Sequence, residues 1–201
     1  MINDRLHSFD LVLASSSPRR RQLMREAGFT FTVAQVYYHE ECPDSLKGKE
    51  LAEFIADAKA DAWSSPVTPR QIIITADTVV WCHESVLGKP ANDKEAVSFL
   101  RMLSGCRHEV ITAICLRDNE RKSLFSVTTG VTFRELSDEE IIYYVTNYHP
   151  YDKAGAYGIQ EWIGLRGITN IEGSYYNVMG MPVSDLYSGL LHFTENKTIT
   201  I

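Results

Sequence analysis

Leu11-Val12-Leu13-Ala14-Ser15-Ser16-Ser17-Pro18-Arg19-Arg20-Arg21 is the stretch that decides how the chain is built. Residues 11–14 read as a short buried strand and the serines as a tight polar loop. Ser17 reads as the N-cap of a helix with Pro18 at its first position. Gly28 stands where a left-handed stop belongs, so the helix is expected over 18–27. The free N–H groups of a helix start favour Asp or Glu, yet Arg19, Arg20 and Arg21 fill this first turn. Each opposes the dipole by an amount on the order of tenths of a kcal/mol unless an anion lies among them. Free N–H groups, the hydroxyls of Ser15 and Ser17, and guanidinium forks together compose a phosphate site. The plainer alternative is a solvated basic face.

Outward from this unit, 201 residues are enough to bury a sizeable core, as one large domain or a domain with a lobe. A net charge of −6 argues against a broad nucleic-acid surface, so nucleic acid is not an expected partner and the basic cluster should serve a small anion. No apolar run reaches the roughly 18 residues of a membrane span. Residues 1–10 lack an apolar signal core, so the cytosol is the expected compartment and no membrane partner is expected. Cys42, Cys82, Cys106 and Cys115 show no paired spacing and read as reduced packing residues. His39 with Cys42, and Cys82 with His83, each resemble half a metal site without a second half.

Residues 31–37 alternate as a strand, and an acidic loop with His39, Glu40, Glu41 and Asp44 leads to a second helix. Lys59 lies beside its stripe of Leu51, Phe54, Ile55, Ala58 and Ala62. Residues 71–76 are a continuous apolar run, as in a strand covered on both faces, with Asp77 expected at its end. Residues 79–82 read as a continuation past a bend, and Gly88-Lys89-Pro90 as a turn. Asn92 with Glu95, and Ser137 with Glu140, read as capping boxes of two further helices. Residues 109–116 and 124–133 read as a hairpin joined at Asp118-Asn119. The Gly- and Tyr-rich segment 149–176 is long for a passive loop and is expected to wall the ligand site. Ser184 is expected to cap a last helix reaching 193. The fold class is α/β: a twisted mixed sheet flanked by helices, spanning 1–201 as a single domain, with the hairpin a candidate second lobe beside a central cleft.

Asp77 is the sharpest chemical candidate, because a carboxylate after an Ile-rich strand must be paired, solvated at the sheet edge or bound to a metal. Its alternative is a cap for the turn at Thr78. Glu40 and Glu41 read as a solvated acidic face or as one further carboxylate of a site. Paired carboxylates facing phosphates suit Mg²⁺ or Mn²⁺. Lys59 either snorkels or points into the site, and Lys89 is either an exposed turn residue or a ligand. With Arg19 and Arg20 they make a clamp for a polyphosphate. Gly88-Lys89-Pro90 lacks the glycines and hydroxyl of a Walker loop, and no G-x-S-x-G elbow occurs. Gln160, whose carboxamide donates and accepts, matches a pyrimidine edge with an imide N–H and a carbonyl.

Taken in order, several motifs resemble those of the Maf family of nucleoside triphosphate pyrophosphatases, of the type acting on dTTP and UTP. They are Ala14-Ser15-Ser16-Ser17-Pro18-Arg19-Arg20, Ala58-Lys59-Ala60, Ala76-Asp77-Thr78-Val79-Val80 and Gly88-Lys89-Pro90, then Asp152-Lys153-Ala154-Gly155-Ala156-Tyr157-Gly158-Ile159-Gln160, Gly173-Ser174-Tyr175 and Gly180-Met181-Pro182. They cover nearly the whole chain and are specific as a set.

The resemblance implies hydrolysis between the α and β phosphates to a monophosphate and pyrophosphate, with a divalent cation (Mg or Mn). It implies an elongated α/β fold shared with the inosine triphosphate pyrophosphatases, and a homodimer. Asp77 matches the family's proton acceptor, and Arg20, Thr78 and Gln160 match positions tied to substrate choice. Joining both lines, Ser15, Ser17, Arg19, Arg20, Lys59 and Lys89 are expected to bind phosphate, and Asp77 and Glu40 to hold the metal. Whether Asp77 is base or ligand stays open, since a metal-bound carboxylate is a poor base. Two other functions compete: a house-cleaning pyrophosphatase for modified purines such as 7-methyl-GTP, and a non-catalytic nucleotide-binding regulator of cell division.

Overall fold

Seven strands form a single mixed sheet in the computed structural model, which describes residues 4–38, 42, 43, 45–195 and 197. Glu40, His39, Glu41 and Asp44 lie outside the described residues. The sheet order is β2-β1-β3-β5-β6-β7, with β4 paired to β3. These strands are β1 (Asp10–Ala14), β2 (Phe31–Ala34), β3 (Gln71–Cys82), β4 (Ser85–Leu87), β5 (Arg107–Arg117), β6 (Lys122–Phe133) and β7 (Ile168–Glu172). The helices are α1 (Pro18–Glu26), α2 (Gly48–Asp61), α3 (Asp93–Leu103), α4 (Asp138–Tyr148), α5 (Trp162–Gly167), α6 (Tyr175–Val178) and α7 (Val183–Phe193). Among the described residues, no helix is long and apolar enough to cross a membrane.

β1 runs parallel to β2 and β3, as the strand–loop–helix reading of residues 11–27 requires, whereas β3, β5, β6 and β7 are antiparallel. The hairpin does not stand apart: β5 pairs with β3 from Ile73 to Trp81 and with β6 along its full length, so it forms the middle of the sheet.

Alternation in β3 sends residues 73, 75, 77 and 79 to one face and 72, 74, 76, 78 and 80 to the other. On the first face, Ala52, Ala56 and Ala60 of α2 are fully buried against Val79, Ile111 and Ala113. Their small side chains let the helix lie close to the sheet. The second face carries two separate cores. Ile72, Ile74 and Leu116 pack with Leu23 and Met24 of α1 and Leu186, Leu190 and Phe193 of α7. Val80, Val110 and Phe133 pack with Leu100 and Leu103 of α3 and Ile141, Tyr144 and Val145 of α4. Thr78 and Thr112, opposite each other in the β3–β5 ladder, lie at the seam between them.

Asp77 is not at a strand end, because β3 runs unbroken for 12 residues. What ends there is its neighbour. β1 pairs with residues 71–74 of β3 and β4 with residues 80–82 of the same edge. Among the described residues, 75–79 thus have no strand partner on that side, and 76–79 line a cleft. The bend expected after Thr78 is absent since β5 holds the other edge straight.

Smaller differences have local causes. Ser184 lies inside α7, whose N-cap is Pro182. Ser137 and Glu140 make the full capping box, but Glu95 reaches the N–H of Ala91 instead of Asn92, while Asn92 caps α3 as expected. The segment 149–176 folds into a short 3-10 turn, α5, β7 and part of α6.

Candidate active site

The cleft beside the open edge of β3 has a volume of about 1040 Å³. Its lining brings together Ser15, Ser17, Arg19, Arg20, Lys59, Asp77, Thr78, Lys89 and Gln160. Among the described residues of the lining, five cationic side chains (Arg19, Arg20, Lys59, Lys89 and Lys153) outnumber two acidic ones (Asp77 and Asp152), so this part of the cleft is positive within a chain of net charge −6. Such local concentration of cations focuses a field that attracts anions.

The serine loop is preset by its own hydrogen bonds. Ser15 Oγ accepts from the Ser17 N–H at 3.2 Å, and Ser17 Oγ accepts from the Arg20 N–H at 3.4 Å, capping α1 behind Pro18. Arg19 and Arg20, neighbours on the first turn, go to opposite tasks. Arg19 Nη1 contacts Asp152 Oδ2 at 2.5 Å and Nη2 donates to the Asp152 carbonyl at 3.2 Å.

Arg20 turns inward and is spent on neutral acceptors. Nε donates to the Gly180 carbonyl at 2.9 Å, Nη1 to the Ala76 carbonyl at 2.8 Å, and Nη2 to Thr78 Oγ1 at 3.0 Å. The Ala76 carbonyl lies in the unpaired stretch of β3, so the guanidinium takes the place of a missing strand there. Burial lowers the Arg20 pKa from its ordinary value; Asp77 opposes this shift and Arg19 adds to it.

Thr78 continues the chain. Its hydroxyl lies 3.0 Å from Thr112 Oγ1, which donates to the Asn177 carbonyl at 3.1 Å. Asn177 is buried and donates to the Val110 carbonyl and to Thr129 Oγ1. Gly180, at φ 97, approaches so closely that a Cβ there would sit 3.3 Å from Thr78 Oγ1.

On the other face of the sheet, Lys59 Nζ reaches Asp77 Oδ1 at 2.6 Å, with the two side chains 22% and 17% exposed. Asp77 and Thr78 are adjacent in sequence yet belong to opposite faces, and only the open edge lets both meet one cleft. Lys89 is exposed at the rim. The Gly155 N–H donates to the Gly88 carbonyl at 3.0 Å, tying the Lys89 turn to the segment that carries Gln160.

Sequence reasoning gave no role to three residues that line the far wall, Asp152, Lys153 and Tyr157, nor to His108 behind them. Asp152 and Lys153 were visible only as part of a motif. Burial pushes the Asp152 carboxyl up, but hydrogen bonds from Lys153 and Arg19 outweigh it and hold it below its ordinary value. Tyr157 lines the cleft and its hydroxyl lies 2.7 Å from Nε2 of His108, a buried residue whose Nδ1 has no hydrogen-bond partner among the described residues. Burial, then the charge of Arg107, bring the His108 pKa down to about 4. Of the segment 149–176, Asp152, Lys153, Ala154, Tyr157, Gly158 and Gln160 line the cleft, whereas β7 pairs with β6.

Residues 10–193 match the family described as Maf-like protein. A dTTP/UTP pyrophosphatase of Phocaeicola vulgatus is 48% identical over 188 residues, covering 93% of this chain and 97% of that protein. One of Parabacteroides distasonis is 47% identical over 191 residues, covering 94% and 99%. One of Flavobacterium johnsoniae is 43% identical over 190 residues, covering 94% and 98%. Among solved structures, the Staphylococcus aureus Ham1 protein superposes with a TM-score of 0.50 at 13% identity, covering 92% of this chain and 99% of that one, and so shares its fold. With the family match spanning nearly all of its elements, this chain belongs to the Maf-like protein family.

Proposed function

We propose that the chain hydrolyses dTTP and UTP, transferring the α-phosphoryl group to water and releasing the nucleoside monophosphate and pyrophosphate. The observation that carries this reading is the convergence of a cationic cleft with the Lys59–Asp77 pair at the open edge of β3. Relatives bearing that activity name at 43–48% identity support it.

In this reading the triphosphate lies along Ser15, Ser17, Arg19, Lys59 and Lys89, whose charges offset the charge that builds on the leaving pyrophosphate. Arg20 shapes the site: it fixes Thr78 and the Gly180 turn, through which it acts on substrate choice. Lys59 fixes Asp77 Oδ1, and Oδ2 is the oxygen that would meet a water or a metal. A hard cation such as Mg²⁺ or Mn²⁺ binds through one or two carboxylates together with substrate phosphates, and Asp77 provides one such carboxylate. Glu40 is assigned as the second. When bound, the ion supplies Lewis-acid neutralisation of phosphate charge. The water proton leaves to Asp77 where that carboxylate is free, and the bond that breaks joins the α-phosphorus to the bridging oxygen.

Gln160 reads the base, its carboxamide pairing with the imide N–H and carbonyl of thymine or uracil. The unit is assigned as one domain, a homodimer, in the cytosol. Steady-state rates over dTTP, UTP, CTP, GTP and 7-methyl-GTP, with Mg²⁺ and with Mn²⁺, test the proposal. Faster turnover of dTTP and UTP is expected; a purine preference overturns the Gln160 role, and tight binding without turnover favours a regulator.

A further inference from the structure

Two cations of the cleft share one carboxylate. Asp152 Oδ2 takes Arg19 at 2.5 Å, and its Oδ1 takes Lys153 Nζ at 2.8 Å. Lys153 is buried, with its side chain 9% exposed, and Nζ also lies 3.0 Å from Glu161 Oε1. Behind it the Tyr144 hydroxyl donates to Glu161 Oε2 and accepts from the Gly158 N–H at 3.0 Å. Glu161 and Tyr144 thereby anchor Lys153, whereas Asp152 faces the cleft with its side chain 58% exposed. A carboxylate spanning an arginine and a lysine offers the same donors that a phosphate takes, and Arg forks suit either anion. Among the described residues, Asp152 is the carboxylate that contacts both Arg19 and Lys153.

We propose that Asp152 is the resident counter-ion of a phosphate subsite formed by Arg19 and Lys153: it holds both donors in place when the subsite is empty and competes with bound phosphate, so that pyrophosphate is released. This rests on the pyrophosphatase reading for the identity of the anion. Competition follows from charge. A phosphate entering beside Asp152 meets a like charge, and the arginine must divide its donors between the two anions.

The test is calorimetric titration of inorganic pyrophosphate, without divalent cation, into the wild-type chain and Asp152→Asn. The amide keeps shape and one acceptor but removes the charge. Asp152→Asn should bind pyrophosphate about ten-fold tighter and show a matching rise in product inhibition of dTTP hydrolysis. In an Arg19→Met background the same substitution should gain much less. Unchanged or weaker binding in a variant that keeps the wild-type circular dichroism overturns the proposal. Should the variant not fold, the wild-type Asp152 carboxyl ¹³C resonance must move on saturation with pyrophosphate, and a fixed resonance overturns it equally. Wild-type turnover of dTTP without tightening in the variant defeats this inference alone. Tightening in a chain that turns over no nucleotide supports the subsite and defeats the pyrophosphatase reading.

Discussion

Lys59 Nζ stands 2.6 Å from Asp77 Oδ1 across the gap between α2 and the sheet. The pair depends on two packing facts: alanines at positions 52, 56 and 60 bring α2 close to β3, and the edge of β3 opposite β5 has, among the described residues, no strand neighbour at residues 75–79. A cation and a carboxylate are thereby fixed together in the cleft.

Removing the charge of that carboxylate tests its place in the chemistry. Asp77→Asn should lower kcat by about 10³-fold while leaving the thermal midpoint within a few degrees, since the amide still accepts from Lys59. Rates and melting curves on the same preparation check this. Near-wild-type turnover in a folded variant removes Asp77 from the mechanism.

Base choice is expected to reside in Gln160. Gln160→Ala should reduce kcat/KM for dTTP and UTP by roughly ten-fold or more, with little change for purine triphosphates, because two hydrogen bonds to the pyrimidine edge are lost. An equal loss across all nucleotides would assign Gln160 to the phosphates or to the local fold.

Gly180 has a purely conformational test. At φ 97 an L residue is strained, and a Cβ would crowd Thr78 Oγ1 at 3.3 Å. Gly180→Ala should therefore cost about 1–3 kcal/mol in urea unfolding. It should also raise KM by loosening the Arg20–Thr78 contact. A stability equal to wild type would mean the turn relaxes freely.

His108 predicts an acid limb of stability. Its ordinary pKa of 6.5 falls to about 4 on folding, mainly through burial. Below 6.5 the unfolded chain takes up a proton that the folded chain refuses, so stability is complete at higher pH and declines as pH drops toward 4. Between pH 7 and pH 5 this one group should account for about 2 kcal/mol. Denaturant titrations of wild type and His108→Gln at both pH values isolate it: the variant should lose less on acidification, and an equal loss refutes the assignment.

The strand–serine loop–helix unit was legible because cap, proline and arginines are local signals, and α1 begins at Pro18 as expected. The apolar run at 71–76 was legible as a doubly covered strand. Its continuation through Asp77 was not, because the length of a strand is set by the neighbour that holds it, here β5, and no local residue reports that. The divergence of Arg19 and Arg20 was equally hidden: two identical side chains a residue apart differ only in what lies 133 and 58 positions away. His108 in β5 and Asn177 in α6 escaped notice since a polar residue in a strand or a helix reads as solvent-facing until its burial is known.

The interrupted edge of β3 separates two properties that sit side by side in sequence. Under the proposed function, substitutions around the hydroxyl ladder on one surface are expected to retune which nucleotide is accepted, while the Lys59–Asp77 pair on the reverse surface stays as it is. Insertions are another matter: one extra residue between 74 and 77 would exchange carboxylate and hydroxyl across the sheet. Such a protein could drift readily in selectivity by point mutation, yet tolerate no length change along those few positions.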